Sequence, residues 1–181
     1  PWYDVYADRA HNLRASEIRA LFSVVSRPEV VSLAGGMPNL KDLPLDRLAA
    51  SAEKLIRNHG AQAMQYGSGQ GWEVLRERIT EVMSYDGIVG ADPDDVVVTT
   101  GSQQALDLVT ELFVNPGDVI LAEAPSYVGA LGVFRARQAD VVHVPMDENG
   151  IIPEALVETI RDVRSSGRTI KFIYIIPNYH N

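Results

Sequence analysis

The sequence predicts an α/β fold in which a mainly parallel sheet carries helices on both faces, and three observations lead to it. Short apolar strand patterns alternate with longer stretches at helical spacing through the second half of the chain. The strand patterns are continuously apolar, as in strands that are buried on both faces. Gly, Pro, Asn and Asp mark the turns between them. At 181 residues with 46% hydrophobic content, the chain is long enough to bury a substantial core.

The first half of the chain predicts an N-terminal arm followed mainly by helices. Residues 1–13 show no clear period. Three helices are expected from their capping residues and apolar spacing, with the bounds Ser16 to Pro28, Pro44 to Gly60, and Trp72 to about Met83. A short strand-like run at 30–33 precedes a turn that contains two glycines and a proline.

The second half of the chain is where strands and helices alternate. Four strands are expected, at 96–98, 119–124, 140–144 and 170–176. Three helices are expected between them, at about 102–113, 125–136 and 153–163. In a sheet of this kind, ligands lie beyond the carboxyl ends of the strands. The residues expected at those ends are 101–103, 125–127 and 178–181.

The turn between the first of these strands and its helix has the features of an anion site. A strand that turns sharply into a helix exposes the first backbone N–H groups of the helix. Gly101 allows the backbone to approach a ligand closely, and Ser102 can cap the helix or place its hydroxyl on a phosphate oxygen. The turn has neither the lysine of a P-loop nor the glycine spacing of a dinucleotide fingerprint. It therefore predicts a site for a single phosphate ester, and an ordinary capped helix is the alternative.

The composition excludes several classes of function. The net charge of −8 and the pI near 4.9 argue against a general binder of nucleic acid or anionic membranes, because such a surface repels both. The absence of cysteine excludes disulfides, thiolate metal sites and a cysteine nucleophile. No apolar run approaches the length that spans a membrane, and residues 1–12 do not have the pattern of a signal peptide. We therefore expect a cytoplasmic protein with no nucleic-acid, membrane or metal partner.

Five motifs resemble, in the same order, those of fold-type I pyridoxal-phosphate (PLP) dependent aminotransferases. They are SLAGGMPN at 32–39, QYGSGQGWEVLR at 65–76, TGSQQAL at 100–106, EAPSYVG at 123–129 and PNYHN at 177–181. The sequence is most similar to the class I branch that contains the 2-aminoadipate, lysine-biosynthetic and kynurenine aminotransferases. The resemblance implies the three-layer large domain of aspartate aminotransferase-like enzymes, present here in part. It divides the chain into 1–43, with the arm, a helix and the start of the small domain, and 44–181, the first part of the PLP-binding domain.

The resemblance assigns cofactor-binding roles to particular residues. Gly101, Ser102 and Gln103 would hold the cofactor phosphate. Tyr127 would stack on the pyridine ring, and its alternative is a tyrosine of the core. Asn181 would donate a hydrogen bond to the phenolic oxygen of the cofactor.

Three further residues acquire roles in the same way. Tyr66 would reach the phosphate of the neighbouring subunit's cofactor, which implies a homodimer with shared sites, and its alternative is a surface aromatic residue. Gly36 would offer its backbone near the substrate carboxylate. Arg19 would bind a distal carboxylate of the substrate, and the competing view is a solvated charge on a helix.

The activity implied is transamination between an L-amino acid and a 2-oxo acid. The amino acid would be 2-aminoadipate or one that is glutamate-like, aromatic or branched. The reaction needs a lysine that holds PLP as a Schiff base, and none of Lys41, Lys54 and Lys171 has the family's sequence setting for it. We therefore expect that lysine beyond Asn181, and we expect no transamination by this chain alone. Two alternatives remain: the aminotransferase-like effector domain of a GntR/MocR-type transcription regulator, and a catalytically incomplete fragment that serves as an interaction module.

Overall fold

The computed structural model describes residues 2–11, 24, 27, 29–31, 38 and 40–180. The chain divides into two compact units. We call Met37–Thr99 the helical unit, and we call Thr100–Asn181 together with Pro1–Gly36 the sheet unit. Most of the helix predicted at 16–28 and part of the strand-like run at 30–33 lie outside the described residues.

The described residues contain six α-helices and two 3₁₀ turns. The helices are α1 Asp8–His11, α2 Leu45–Ala63, α3 Glu73–Tyr85, α4 Gly101–Phe113, α5 Val128–Ala136 and α6 Pro153–Ser165. The 3₁₀ turns are Tyr3–Val5 and Pro93–Asp95. None of the helices in the described part of the chain combines the length and the apolar character that crossing a lipid bilayer requires.

The sheet unit is built on four strands in the order β3-β2-β1-β4. Their bounds are β1 Val119–Ala124, β2 Asp140–Asp147, β3 Gly150–Ile151 and β4 Ile170–Tyr174. β1 pairs in parallel with both β2 and β4, which confirms the predicted mainly parallel sheet. β2 runs three residues further than expected and turns into β3, an antiparallel partner that the sequence did not predict.

Helices cover both faces of this sheet. On one face α4 and α5 pack over a core that includes Ile120, Ala130 and Phe134. On the other face α6 packs over Val119 and Leu121. Successive residues of a strand point to opposite faces, so β1 contributes to both cores and is buried throughout its first five residues. The predicted three-layer arrangement is therefore confirmed in this unit.

The helical unit departs from the prediction at 96–98, which was expected to be a buried strand. No strand forms there among the described residues. The backbone N–H of Val98 donates to the carbonyl of Gln70 (2.7 Å), and the side chain of Val97 is 53% exposed. A strand needs a second strand as hydrogen-bonding partner, whereas this segment meets a loop. The apolar composition of residues 96–98 was therefore not sufficient to predict a strand.

A buried arginine joins α3 to the 3₁₀ turn of the helical unit. Arg76 is only 7% exposed. Its Nη1 donates to the carbonyl of Pro93 (2.6 Å) and to Oδ1 of Asp94 (3.0 Å). The carboxylate of Asp92 in turn accepts from the backbone N–H of Asp94 and caps the turn. Arg76 therefore joins α3 to the 3₁₀ turn by one hydrogen bond to the backbone of the turn and one ion pair with Asp94.

Candidate functional site

The predicted anion site lies at the N-terminus of α4, in the sheet unit. Thr100 is the N-cap, and its N–H donates to Oε1 of Gln104 (2.5 Å). Gly101 begins the helix with a φ of +74°, a conformation that favours glycine. Ser102 therefore lies inside the first turn and does not cap the helix. The expected capping role of Ser102 is therefore wrong, and its role as a phosphate ligand stays a prediction.

Gln103 ties this helix N-terminus to the next helix. Its side-chain Nε2 donates to the carbonyl of Gly129, in the first turn of α5, over 3.3 Å. The amide side chain of Gln103 is thus engaged within the protein. Gln103 can offer its backbone N–H to an anion, because the N–H groups of the first helical turn have no partner within the helix.

Tyr127 follows the end of β1 and is the N-cap of α5. It comes directly after Pro125 and Ser126, as the strand-end prediction required. Its side chain is 47% exposed, which is more than a core tyrosine shows. Tyr127 is thus partly exposed in this structure, and its stacking role stays a prediction.

Ser102 and Tyr127 line the same cavity, whose volume is about 420 Å³. This size falls within the range of small-molecule sites, roughly 300–1,000 Å³. The remaining lining residues are mostly apolar: Ala105, Leu106, Val109, Thr110, Phe134, Phe172 and Tyr174. A few polar groups in a mainly apolar wall are typical of a site for a small organic ligand.

Three aromatic residues form one wall of this cavity. The ring of Phe134 meets Phe172 and Tyr174 edge to face, with centroid distances of 5.9 Å and 5.5 Å. Burial raises the pKa of the Tyr174 hydroxyl, and the neighbouring Tyr127 and Glu123 raise it further. Tyr174 is therefore a neutral phenol at physiological pH. Sequence analysis missed this residue, although its position at the end of a strand was a usable signal.

A buried carboxylate organises the segment that follows β4. Glu123, at the end of β1, is 5% exposed, and its Oε2 accepts from the N–H of Ile176 (2.8 Å). The same oxygen lies 3.7 Å from Nδ1 of His180. Glu123 therefore holds the segment after β4 by one hydrogen bond, at Ile176, and lies near His180 further along it. Sequence analysis did not single out Glu123, because it lies within an otherwise apolar strand.

An ion-pair cluster joins α4 to the end of α5. Arg137 donates through Nε and Nη2 to the two carboxylate oxygens of Asp107 (2.9 and 2.8 Å), and Nη2 also reaches Glu111 (3.0 Å). The hydrogen bond from Arg137 lowers the pKa of Asp107. This two-point contact is stronger and more directional than a single hydrogen bond. It helps to hold together the two helices that carry Ser102 and Tyr127.

The other predicted site residues fall elsewhere. Tyr66 lies in the helical unit, and its side chain is fully exposed in this chain (100%). Arg19, Gly36 and Asn181 lie outside the described residues. Within the described ranges, no group of three or more acidic or histidine side chains is arranged to hold a metal ion.

The fold is therefore an α/β sheet covered by helices, and Ser102 of α4 lies at the same cavity as Tyr127, the N-cap of α5. The chain belongs to the aminotransferase class I and II family, whose model matches residues 28–181. The predicted family resemblance is confirmed.

Relatives with known names and structures agree with this assignment. Aromatic-amino-acid aminotransferase 1 of Thermococcus litoralis is 36% identical over 176 residues, which cover 97% of this chain and 42% of that protein. The crystal structure of Pyrococcus horikoshii kynurenine aminotransferase in complex with PMP has a TM-score of 0.88 and 34% identity, and the match covers 98% of this chain and 44% of that one. LysN, the alpha-aminoadipate aminotransferase of Thermus thermophilus, has a TM-score of 0.85 and 34% identity, with coverage of 100% and 42%.

Two facts follow from these comparisons. The chain spans about two-fifths of the length of the relatives that it matches, 42–44%. The two related structures hold pyridoxal-phosphate derivatives, PMP in one and N-(5'-phosphopyridoxyl)-L-leucine in the other. Pyridoxal 5'-phosphate, the predicted cofactor, is therefore the cofactor of the aminotransferases that this chain resembles.

Proposed function

We propose that this chain forms part of a PLP-dependent aminotransferase, which in its complete form transfers an amino group from an L-amino acid to a 2-oxo acid. The observation that carries the proposal is that Ser102, in the first turn of α4, and Tyr127 line one cavity of about 420 Å³. PLP is a phosphate ester on a flat pyridine ring. Ser102 suits the phosphate, and the ring of Tyr127 suits the pyridine ring.

The residues present fit the cofactor. The first turn of α4 offers backbone N–H groups and the Ser102 hydroxyl, which are suitable donors to a phosphate. A Cβ on Gly101 would meet no atom within 4 Å, so there is space for a ligand beside its Cα. The ring of Tyr127 offers a flat face of the kind on which a pyridine ring stacks.

When bound, PLP supplies the electron sink for bond changes at the α-carbon of the substrate. Ser102 would hold the phosphate by donating its hydroxyl hydrogen, and Tyr127 would set the plane of the ring. Phe134 and Phe172 in the cavity wall exclude water from the apolar side of the site. Tyr174 keeps its proton, because burial raises its pKa, and so it can serve as a hydrogen-bond donor.

Further parts of the proposal come from the family resemblance. We place the Schiff-base lysine beyond Asn181, and we assign to Asn181 a hydrogen bond to the cofactor's phenolic oxygen. We assign residues 44–181 to the PLP-binding domain and place the complete enzyme in the cytoplasm. The relatives reported above are all named as aminotransferases, which supports an enzyme rather than a transcription regulator.

Removing the Ser102 hydroxyl is expected to weaken phosphate binding. Pyridoxamine 5'-phosphate is a suitable probe, because it binds without forming a bond to a lysine. We expect Ser102→Ala to raise its Kd about tenfold or more, since a hydrogen bond to a charged group is worth roughly 1.5–3 kcal/mol. Isothermal titration of the 181-residue chain measures this change, with Ser165→Ala as a matched control on the exposed part of α6.

Titration with pyridoxamine, which lacks the phosphate, shows whether the loss of affinity in Ser102→Ala comes from the phosphate contact or from another part of the site. Ser102→Ala should leave the affinity for pyridoxamine within about twofold of the wild-type value, because the lost contact is with the phosphate. An equal loss for both ligands would show that Ser102 acts elsewhere in the site. Unchanged affinity for pyridoxamine 5'-phosphate would contradict the proposed phosphate site.

We propose that Tyr66 serves the cofactor site of the partner subunit in a homodimer. Its complete exposure in this chain is compatible with that role. In the complete enzyme, mixed dimers of a Ser102→Ala subunit and a Tyr66→Phe subunit would then regain one intact site. We expect these mixed dimers to have about half the wild-type activity, well above either homodimer. Mixed dimers no more active than the two homodimers would mean that Tyr66 does not act across the interface.

Substrate recognition is proposed for two residues outside the described part of the chain. Gly36 would approach the α-carboxylate of the amino acid with its backbone, and Arg19 would pair with a distal carboxylate. In the complete enzyme, Arg19→Gln should then raise KM for 2-aminoadipate much more than KM for an aromatic amino acid. An equal change for both substrates would favour the view of Arg19 as a solvated surface charge.

A further inference from the structure

We propose that Gly129 is a positioning residue that holds the ring of Tyr127 in place and connects it to the phosphate loop Gly101–Gln103. This inference rests on the proposed function, because it concerns the same cofactor site. It assigns a role to a residue of α5 that has no side chain to touch a ligand.

The first observation is the space that the Tyr127 ring occupies. A Cβ added to Gly129 would lie 2.5 Å from both Cζ and Oη of Tyr127 and 2.6 Å from Cε1. Real Cβ atoms essentially never approach other atoms so closely. The ring of Tyr127 therefore folds back over the start of α5 and lies against the Cα of Gly129. Any larger residue at 129 would have to displace it.

The second observation concerns the carbonyl group of the same residue. It accepts the hydrogen bond from Nε2 of Gln103 (3.3 Å). Gly129 thus contacts the proposed stacking residue with one side of its backbone and the phosphate loop with its carbonyl oxygen. The distance between the ring and the loop should therefore depend on this residue.

The backbone conformation of α5 does not by itself demand glycine at 129. Gly129 is not among the glycines with positive φ, and neither is Gly132 in the same helix. Glycine is unfavourable inside a helix relative to alanine. A Cβ on Gly132 would meet nothing within 4 Å, in contrast to one on Gly129. Of these two glycines, only Gly129 therefore leaves space that the Tyr127 ring occupies.

The ring has room to move if it is displaced, because Tyr127 is only half-buried. An alanine at 129 would turn the ring away from its present plane and remove a preformed stacking face. We expect the Kd of pyridoxamine 5'-phosphate to rise about threefold to tenfold in Gly129→Ala, which is the usual contribution of an aromatic pair. Gly132→Ala should leave the Kd within twofold of the wild-type value.

A double-mutant cycle tests whether the effect passes through the ring. With Tyr127→Ala as background there is no ring to displace, so Gly129→Ala should cause no further loss of affinity. With Tyr127→Phe the ring atoms near Gly129 remain, so Gly129→Ala should still weaken binding. The proposal is overturned if Gly129→Ala behaves like Gly132→Ala, or if it weakens binding equally with and without the Tyr127 ring.

Urea unfolding of the same variants of the 181-residue chain keeps this proposal separate from the proposed function. Gly132→Ala should raise the unfolding midpoint by about 0.5 M, since alanine is the better helix former. The unfolding midpoint of Gly129→Ala should be lower than that of Gly132→Ala. In a Tyr127→Ala background the two midpoints should be equal. If the wild-type chain does not bind pyridoxamine 5'-phosphate but the unfolding difference is present, the proposed cofactor site is refuted while the packing of the Tyr127 ring against Gly129 stands. An unfolding difference that persists without the ring would refute the role of Gly129 alone.

Discussion

Phe134→Ala is expected to lower the free energy of unfolding of the sheet unit by about 3–5 kcal/mol. Phe134 lies on α5, has no exposed surface, and packs edge to face against Phe172 and Tyr174 of β4. The substitution removes a large buried ring and leaves a cavity that the surrounding strands and helices can only partly fill.

Urea unfolding of the 181-residue chain, followed by far-ultraviolet circular dichroism, measures this loss. Phe113→Ala is the matched control, because Phe113 is at the end of α4 and is 54% exposed. We expect Phe113→Ala to lower the free energy of unfolding by less than about 1 kcal/mol. Equal losses in the two variants would show that Phe134 is not the centre of the core. Because Phe134 also lines the cavity, its loss should in addition weaken binding of pyridoxamine 5'-phosphate.

Gly71→Ala is expected to destabilise the helical unit by about 2–5 kcal/mol. Two costs add here. The φ of Gly71 is +101°, a region in which L-residues are strained by roughly 1–2 kcal/mol. A Cβ at this position would also lie 2.6 Å from Cγ2 and 2.7 Å from Cβ of Val98. Relieving such an overlap typically costs about 1–3 kcal/mol.

Tryptophan fluorescence reports on this unit specifically. The chain has two tryptophans, Trp2 and Trp72, and the second directly follows Gly71. With Trp2→Phe as background, the unfolding midpoint of Gly71→Ala should fall well below that of Gly69→Ala. Gly69 has no positive φ and no atom within 4 Å of an added Cβ, so its substitution should be nearly neutral. Equal midpoints for the two variants would contradict the close approach to Val98.

These two glycines show why a glycine-rich stretch is a weak signal of nucleotide binding. Gly67, Gly69 and Gly71 stand in one short loop. The structure explains the last of them by its backbone conformation and by the neighbouring Val98. The first two have open space around them. One glycine of the three is thus explained by its backbone conformation and its packing against Val98.

Local sequence was sufficient to predict the sheet unit in outline. Residues 119–124 form β1 as expected, because a continuous apolar run between turn residues suits a strand that is buried on both faces. The helix predicted at 153–163 forms as α6, and its Leu156, Ile160 and Val163 pack in the core at the spacing of one helix face. The sequence also predicted that the residues after β1 and β4 lie at the same edge of the sheet, because parallel strands bring their carboxyl ends to one edge. Signals of this kind depend only on neighbours along the chain.

Contacts between residues far apart in sequence decided the rest. The segment 96–98 has the composition of a strand, but it meets the loop at Gln70 and not another strand. Tyr174 joins Ser102 and Tyr127 at one cavity only because β4 lies beside β1. Sequence by itself determined the periodic elements, the strand-end residues and the family. The tertiary structure alone decided which side chains share the cavity, because Ser102, Tyr127 and Tyr174 are far apart in sequence and their distances are encoded by no local pattern.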